Sequence, residues 1–302
     1  MAHNGAPHNR PPILCHTGKS LLSLHEMDFD LGYESKTIRQ LRKLLKSLPC
    51  DPSIKAVHDL RTRTRRIEAI AGVIIPGHEK SRRHLMQILK LLRKAAGDVR
   101  DMDVLAAKAR TLSGHTRDES VAHLLEHLRA SRIESARALV DTVNEQRKDA
   151  DDSLKTFSKQ LDKHLHSMNS GAENNTNYAK PCIDAAISLV DELSRWPAFD
   201  AQTLHAFRIK VKELRYSLRL MEGPDLKFVR ALDKTKTQIG NWHDWQELRK
   251  IAGDVLDPKM NRSVLKEIDE IVSEKLKLAL AAARTLKARC LSAYRGFTIT
   301  ES

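Results

Sequence analysis

A sequence pattern that occurs twice constrains the fold of this chain more than any other feature. His58 and Arg61 open one copy, and His205 and Arg208 open the other. In both copies cationic and apolar residues recur every three to four positions, which is the spacing of an amphipathic α-helix. The copies align without a gap, so we predict two similar helices and an internal duplication. The predicted apolar side of the second helix comprises Leu204, Phe207, Val211, Leu214 and Leu218.

A second pair of matching segments follows the histidines after about 35 to 40 residues. The first segment contains Gly97 and Asp101, and the second contains Gly240 and Asp244. In each segment we predict a helix that ends at the glycine, a tight turn, and a new helix capped by the aspartate. Two matched segments in the same order strengthen the prediction of a duplication.

The composition favours an all-α fold. Aromatic residues are only 4% of the chain, whereas leucine, alanine, lysine, arginine and glutamate recur at helical spacing. The 302 residues, 41% of them hydrophobic, are enough to build a substantial core. We therefore predict two pseudo-symmetric four-helix bundles with long helices, one from each repeat, and a central basic groove between them.

The predicted helices follow the same order in both halves and divide the chain into five segments. They are predicted at 34–48, 53–75, 79–96, from 101 onward, and at 118–168, and then at 178–194, 203–221, 226–239, 242–252 and 263–294. The five segments are a flexible N-terminal segment (1–33), a first helical repeat (34–168), a linker (169–177), a second helical repeat (178–295) and a C-terminal tail (296–302).

The charge of the chain predicts its kind of partner. A formal net charge of +13 repels itself in a compact fold, and it is typical of proteins that bind a polyanion. The four cysteines show no C-x-x-C spacing, which favours reduced thiols. The sequence has no apolar run that could span a bilayer and no apolar core of a signal peptide, so we predict a cytoplasmic protein.

Taken together, the two histidine motifs and the two glycine segments resemble those of the CHAD family, the conserved histidine α-helical domain. The resemblance covers roughly residues 34–295. It implies an all-helical fold of two four-helix bundles with a basic channel between them. It further implies binding of inorganic polyphosphate, and association of some members with polyphosphate granules. No part of the sequence resembles the triphosphate-tunnel domain that accompanies some CHAD domains, so the resemblance implies no hydrolase activity and no cofactor.

Carried over position by position, the resemblance implicates cationic residues of both repeats as the polyphosphate site. They are His58, Arg61, Arg65, Arg66, Arg93 and Arg100 in the first repeat, and His205, Arg208, Lys212, Arg215, Lys236 and His243 in the second. The second repeat departs from the first in two places, with His243 opposite Arg100 and Glu213 opposite Arg66. Weaker candidates are Lys36, Arg39 and Lys43 on the first helix, where a solvated surface explains the charge equally well.

These residue types suit a flexible chain that carries about one negative charge per phosphate. Arginine offers a planar fork of donors to phosphate oxygens, and lysine offers a point charge. Two facing rows of cations would line a groove for a linear polyanion. We further hypothesise that His58 and His205 donate to phosphate oxygens when protonated, so that binding tightens below neutral pH.

Two other functions stay open at this stage. A basic stripe also gives nonspecific affinity for nucleic acid, although single-stranded nucleic-acid binders usually add stacking aromatic rings. A phosphoester enzyme could use His58 or His205 as acid or nucleophile, but neither has a cluster of carboxylates nearby in the sequence.

Two short motifs are set aside. Residues 18–20 resemble the end of a phosphate-binding P-loop but lack its first glycine. His123 and His127 fit an H-x-x-E-H zinc pattern but have no third ligand and no counterpart in the second repeat, so we predict no metal site.

Overall fold

A computed structural model describes residues 31–73, 79–112, 119–169, 175–219 and 225–300. Within these residues it contains eight α-helices and no strands, which confirms the predicted all-α class. The helices are α1 (Leu31–Lys46), α2 (Ile54–Val73), α3 (Glu79–Ala109), α4 (Glu119–Asn169), α5 (Asn175–Ser194), α6 (Ala201–Arg219), α7 (Leu226–Val255) and α8 (Arg262–Thr300).

The eight helices pack in two groups of four. In the first group, α1 packs against α2 and α4, and α3 packs against α2 and α4. The second group repeats this arrangement with α5 against α6 and α8, and α7 against α6 and α8. Each group has its own apolar core. The apolar side predicted for α6 is confirmed, because Leu204, Phe207, Val211, Leu214 and Leu218 are all fully buried.

A third apolar cluster joins the two groups. It combines Leu105 and Ala109 at the end of α3 and Leu124 of α4 with Trp245 and Leu248 of α7. The contact between α3 and α7 is the most extensive between the groups, and α2 also touches α6. This shared core fixes the two halves relative to each other and brings the two histidine helices, α2 and α6, to face a common space.

The predicted turns at Gly97 and Gly240 are wrong. α3 runs without interruption through Gly97, and α7 runs through Gly240. Asp101 and Asp244 therefore lie inside helices and cap nothing. Glycine in a helix interior costs only about 1 kcal/mol relative to alanine, which the tertiary contacts of these long helices outweigh. Because the predicted short helices merge across each glycine, each half contains four helices.

Several helix ends differ from the predicted bounds, three of them in the predicted N-terminal, linker and C-terminal segments. α1 begins three residues early, at Leu31; α5 begins at Asn175, inside the predicted linker; and α8 continues to Thr300, through most of the predicted tail. Once a helix has formed, adding a residue costs little, so helices extend until a strong breaker intervenes. Predictions for residues 1–30, including the P-loop fragment, and for the helix stops at 76–77 and 223–224 lie outside the described residues.

Within the residues that the structure describes, no helix combines the length and the apolar character needed to cross a bilayer.

Candidate functional site

A cleft of about 660 Å³ lies between the two groups of helices. Its walls come from α2 and α3 on one side and from α6 and α7 on the other, with one residue from α4. Most of the predicted site residues line it together. They are His58, Arg61, Arg65, Arg100, His205, Arg208, Lys212, Lys236 and His243.

A second cavity of about 650 Å³ continues from this cleft. Arg65, His205, Lys212 and Tyr216 line both cavities, and the second one adds Arg93. Arg65 and Tyr216 also join the two halves directly, since Nη1 of Arg65 donates a hydrogen bond to the Tyr216 hydroxyl at 3.4 Å. The two cavities therefore lie side by side and adjoin at the contact between α2 and α6.

The first arginine of each histidine motif lies against a glycine of the next helix: Arg61 against Gly97 of α3, and Arg208 against Gly240 of α7. Nη1 of Arg61 donates to the carbonyl oxygen of Arg93 at 3.2 Å, and a Cβ placed on Gly97 would lie 2.5 Å from the same nitrogen. In the second half, Nε of Arg208 donates to the carbonyl oxygen of Lys236 at 3.5 Å. A Cβ on Gly240 would lie 2.8 Å from its Nη2. The glycines thus leave the space in which the guanidinium groups lie against the helices.

Burial and mutual repulsion lower the pKa values of these cations. The pKa of Arg61 is lowered to about 10, first by burial and then by Arg65, although Asp101 partly opposes the shift. Burial also lowers the pKa of Arg208. Like charges packed together out of water destabilise the free protein. An anion that entered the cleft would relieve this cost.

Lys212 is the most strongly affected of the cleft cations. Burial, followed by the charges of Arg208, Arg65, Arg61 and Arg93, lowers its pKa to about 7. These arginines approach it from α6, α2 and α3, and it lies where the two cavities meet. Lys212 is therefore only partly charged at neutral pH in the free protein.

The histidines differ from each other. His205 packs edge-to-face against His243, with ring centroids 5.3 Å apart, and burial together with His243, Arg208 and Lys212 lowers its pKa. His58 lies across the cleft, where its Nε2 is 3.4 Å from the Thr62 hydroxyl. Both histidines face the same cleft, as the repeated motif predicts. In the free protein His205 is neutral at pH 7, because its ordinary pKa of 6.5 is lowered.

One end of the cleft contains carboxylates that the sequence analysis did not assign to the site. Nη1 of Arg100 lies 2.8 Å from Oδ1 of Asp101 and 3.4 Å from Oδ1 of Asp244, so it bridges the two halves. Asp98 and Glu247 line the same end. Burial and the neighbouring Asp101 raise the pKa of Asp98. By contrast, Arg61, Arg65, Arg208 and Lys212 form no ion pair with a carboxylate of the described residues.

Some predicted site residues lie elsewhere. Arg215 is buried and forms an ion pair with Asp233 of α7, which also lies 3.3 Å from Lys236. Arg66 does not line either cavity. The exposed side chains of Lys36, Arg39 and Lys43 are on α1 and also lie outside both cavities.

Tyr216 and Glu68 are two residues that the sequence analysis missed. Tyr216 is not among the predicted site residues, but it lines both cavities. Glu68 holds Arg93, with Oε2 of Glu68 2.9 Å from Nε of Arg93. In the gapless alignment of the two motifs, Glu68 of α2 is opposite Arg215 of α6. Glu68 pairs with Arg93 of α3, and Arg215 pairs with Asp233 of α7. The opposite charges at these matching positions could have indicated, from the sequence alone, that both residues form ion pairs within their own halves.

His123 and His127 are exposed on α4 and do not line the cleft. Among the described residues, no group of three or more histidine, cysteine or acidic side chains is arranged to hold a metal ion.

The described residues form eight helices in two groups, and each group contributes the same arginine–glycine contact to the cleft. The protein is therefore an all-helical domain of two similar halves with a cleft between them. The sequence model of the CHAD domain matches residues 35–253, and the chain belongs to the CHAD domain family. The fold is similar to the crystal structure of the CHAD domain from the plant Ricinus communis, with a TM-score of 0.59 and 18% sequence identity. That match covers 85% of this chain and 89% of the plant chain. No curated protein matches the chain.

Proposed function

We propose that this protein binds inorganic polyphosphate in the cleft between its two halves, without cleaving it. The observation that carries the proposal is the convergence of cations from both halves on one space, with Arg61 and Arg65 from α2 facing Arg208 and Lys212 from α6. A flexible phosphate chain offers charge and hydrogen-bond acceptors, and these groups supply matching donors.

The lowered pKa values of the cleft cations support an anionic ligand. The lowered pKa values of Arg61, Arg208 and Lys212 reflect charges that repel each other while partly removed from water. A polyanion restores favourable partners to all three at once. The cleft of about 660 Å³, with a second cavity adjoining it, suits a ligand longer than a single phosphate.

Two features favour polyphosphate over the alternatives. Apart from the histidines, Tyr216 is the only aromatic residue among those that line the two cavities, so bases have few rings on which to stack. Two of the carboxylates that line the cleft, Asp101 and Asp244, are both engaged by Arg100. This arrangement supports binding more than hydrolysis.

The test is competition at physiological salt. We expect unlabelled polyphosphate to displace a labelled polyphosphate probe at much lower phosphate concentration than RNA or single-stranded DNA. The same mixture, incubated with magnesium, should keep its chain-length distribution on a gel. Equal displacement by all three polymers would instead identify a general polyanion binder. Shortening of the chains would identify an enzyme.

Gly240→Ala should separate affinity from stability. The added Cβ would push the Arg208 guanidinium out of its place against α7, because the two would lie 2.8 Å apart. We expect polyphosphate affinity to fall by about tenfold, while the free energy of unfolding stays equal or rises by up to about 1 kcal/mol from the better helix former. Isothermal titration and urea unfolding measure the two quantities.

Gly253→Ala is the matched control for this prediction. Gly253 is also inside α7, and its added Cβ would meet Nη1 of Arg249 at 2.9 Å, but neither residue lines the cleft. Its affinity for polyphosphate should equal that of the unmodified protein. An equal loss of affinity in both variants would show that the arginine–glycine contact at Gly240 has no special role in binding.

A further inference from the structure

A separate groove lies on the second half of the molecule, between α7 and α8. It has a volume of about 460 Å³, and it shares no lining residue with the cleft. This volume is within the range of small-molecule sites in proteins. The cleft function does not use this groove.

The register of the two helices fixes the layout of the groove. α7 and α8 are joined by a short connection and run antiparallel, and the Thr235 hydroxyl donates to the carbonyl oxygen of Ala282 at 3.3 Å. Residues before Thr235 therefore lie beside residues after Ala282. Lys227 and Arg230 accordingly lie at the same end as Arg289.

The positively charged side chains of the groove are concentrated toward one end. Lys227, Arg230 and Arg289 gather at one end, and Lys234 lies one turn further along α7. All four side chains are exposed, and the residues that the structure describes along the groove include no aspartate or glutamate. None of the four forms an ion pair with a carboxylate of the described residues, in contrast to Arg249 and Asp269 on the same two helices, which do.

The floor of the groove is mainly apolar, and Leu278 and Gln238 lie at its other end. Ala231, Ala281 and Ala282 are small enough to leave space between the helices, and Leu286 is buried beneath them. At the end away from the cations, Leu278 leaves 44% of its surface exposed to solvent. An apolar side chain exposed along a concave surface gains free energy when a ligand covers it.

From this layout we propose that the α7–α8 groove is a second binding site, for a single-chain amphiphile with an anionic head. The head binds Lys227, Arg230 and Arg289, and the alkyl chain lies along the alanines toward Leu278. Lys227 and Gln238 are eleven residues apart on α7, so the groove is about 16 Å long. An extended alkyl chain of about a dozen carbons covers the same distance.

Dodecyl phosphate is a suitable probe, used below its micelle-forming concentration with the full-length protein. We expect a saturable, one-to-one isotherm by titration calorimetry. Arg230→Ala with Arg289→Ala should weaken binding by about tenfold or more, because two charge-assisted contacts to the head are removed. Lys250→Ala with Arg284→Ala is the matched control, since it removes two exposed cations from the same helices outside the groove and should leave binding unchanged.

A second variant tests the alkyl chain independently of the head. Ala282→Leu places a larger side chain in the floor of the groove without a change of charge, and leucine is a good helix former. It should weaken dodecyl phosphate binding by about tenfold, because the added atoms occupy the space of the chain. Unchanged binding in this variant would overturn the proposed position of the chain.

Three further outcomes would overturn the proposal. Inorganic triphosphate that displaces dodecyl phosphate at equal concentration would show that charge alone is recognised. Binding to phosphatidylglycerol vesicles without binding to the free amphiphile would identify a membrane-contacting surface instead. Loss of dodecyl phosphate binding in the Arg61→Ala, Arg208→Ala variant would place the amphiphile in the cleft. Failure of polyphosphate binding alone would leave this site intact, so the two proposals are distinguishable.

Discussion

Replacing Arg61 and Arg208 together with alanine is expected to weaken polyphosphate binding by about 3 kcal/mol or more, a factor above a hundred. Both guanidinium groups line the cleft, one from α2 and one from α6, and each substitution would remove charge-assisted hydrogen bonds to phosphate oxygens. Titration of the single and double variants with a polyphosphate of defined length measures the loss.

The same double variant should fold as well as the unmodified protein. The carbonyl groups that accept from the two arginines, at Arg93 and Lys236, lie inside helices and keep their backbone hydrogen bonds. Removing two half-buried cations whose pKa values are lowered also relieves repulsion within the cleft. We therefore expect the melting temperature to stay the same or to rise.

Arg63→Ala with Lys210→Ala is the matched control, because the two residues occupy equivalent positions of the repeat on the same helices. Arg63 pairs with Asp59 and Lys210 pairs with Glu192, and neither lines the cleft. This variant loses the same number of charges, so a long-range electrostatic effect would weaken binding equally in both doubles. Such equality would reject the cleft as the specific site.

The second large effect expected is a dependence of polyphosphate affinity on pH through Lys212. Its pKa of about 7 in the free protein is below its ordinary value, so above pH 7 the side chain is mainly neutral. A bound polyanion favours the charged form and raises this pKa. Binding above pH 7 therefore takes up a proton, and affinity rises as pH falls toward 7 and levels off below it.

The expected size of this effect is about tenfold per pH unit at most, for one group, between the pKa values of the free and bound states. Measuring affinity from pH 9 to pH 6 gives the slope. Lys212→Arg should flatten the profile and keep the affinity high at pH 9, because arginine stays charged. Lys212→Met should flatten it at a lower affinity.

Other groups that titrate in the cleft can be separated from Lys212. The pKa of His205 is lowered below 6.5 by burial and by His243, Arg208 and Lys212, so its contribution falls in a more acidic range. The histidine hypothesis drawn from the sequence stays a prediction, to be tested by His205→Gln below pH 6.5. A slope between pH 9 and 7 that persists in Lys212→Met would show that another group carries the proton uptake.

The site was predictable from the sequence to the extent that its residues fall on a repeated helical face. Arg61 and Arg208 line the cleft because they stand at the same point of the same pattern, and the buried stripe beside them fixes which way the helix faces. Arg215 shows the limit of this reasoning. It shares the cationic side of α6 on a helical wheel, yet it pairs with Asp233 on a neighbouring helix that the wheel does not represent.

The glycine segments show the same limit for the backbone. A glycine that ends a helix and a glycine that lets a neighbour approach a helix have the same local sequence, and Gly97 and Gly240 are of the second kind. The carboxylates around Arg100 were also missed, because Asp101 and Asp244 come together only when the two halves pack. The duplication itself stays a prediction from the sequence, which the matching arginine–glycine contacts support.

The sequence by itself determined the all-helical class, the buried faces of α2 and α6, and the excess of positive charge, because periodicity and composition are local properties. Only the tertiary structure decided which cations share a space, how far each pKa moves, and which are held by carboxylates. All three properties depend on distances between helices that are far apart in the sequence. The core shared by α3, α4, α7 and α8 sets those distances, and thereby turns two separate basic faces into one cleft.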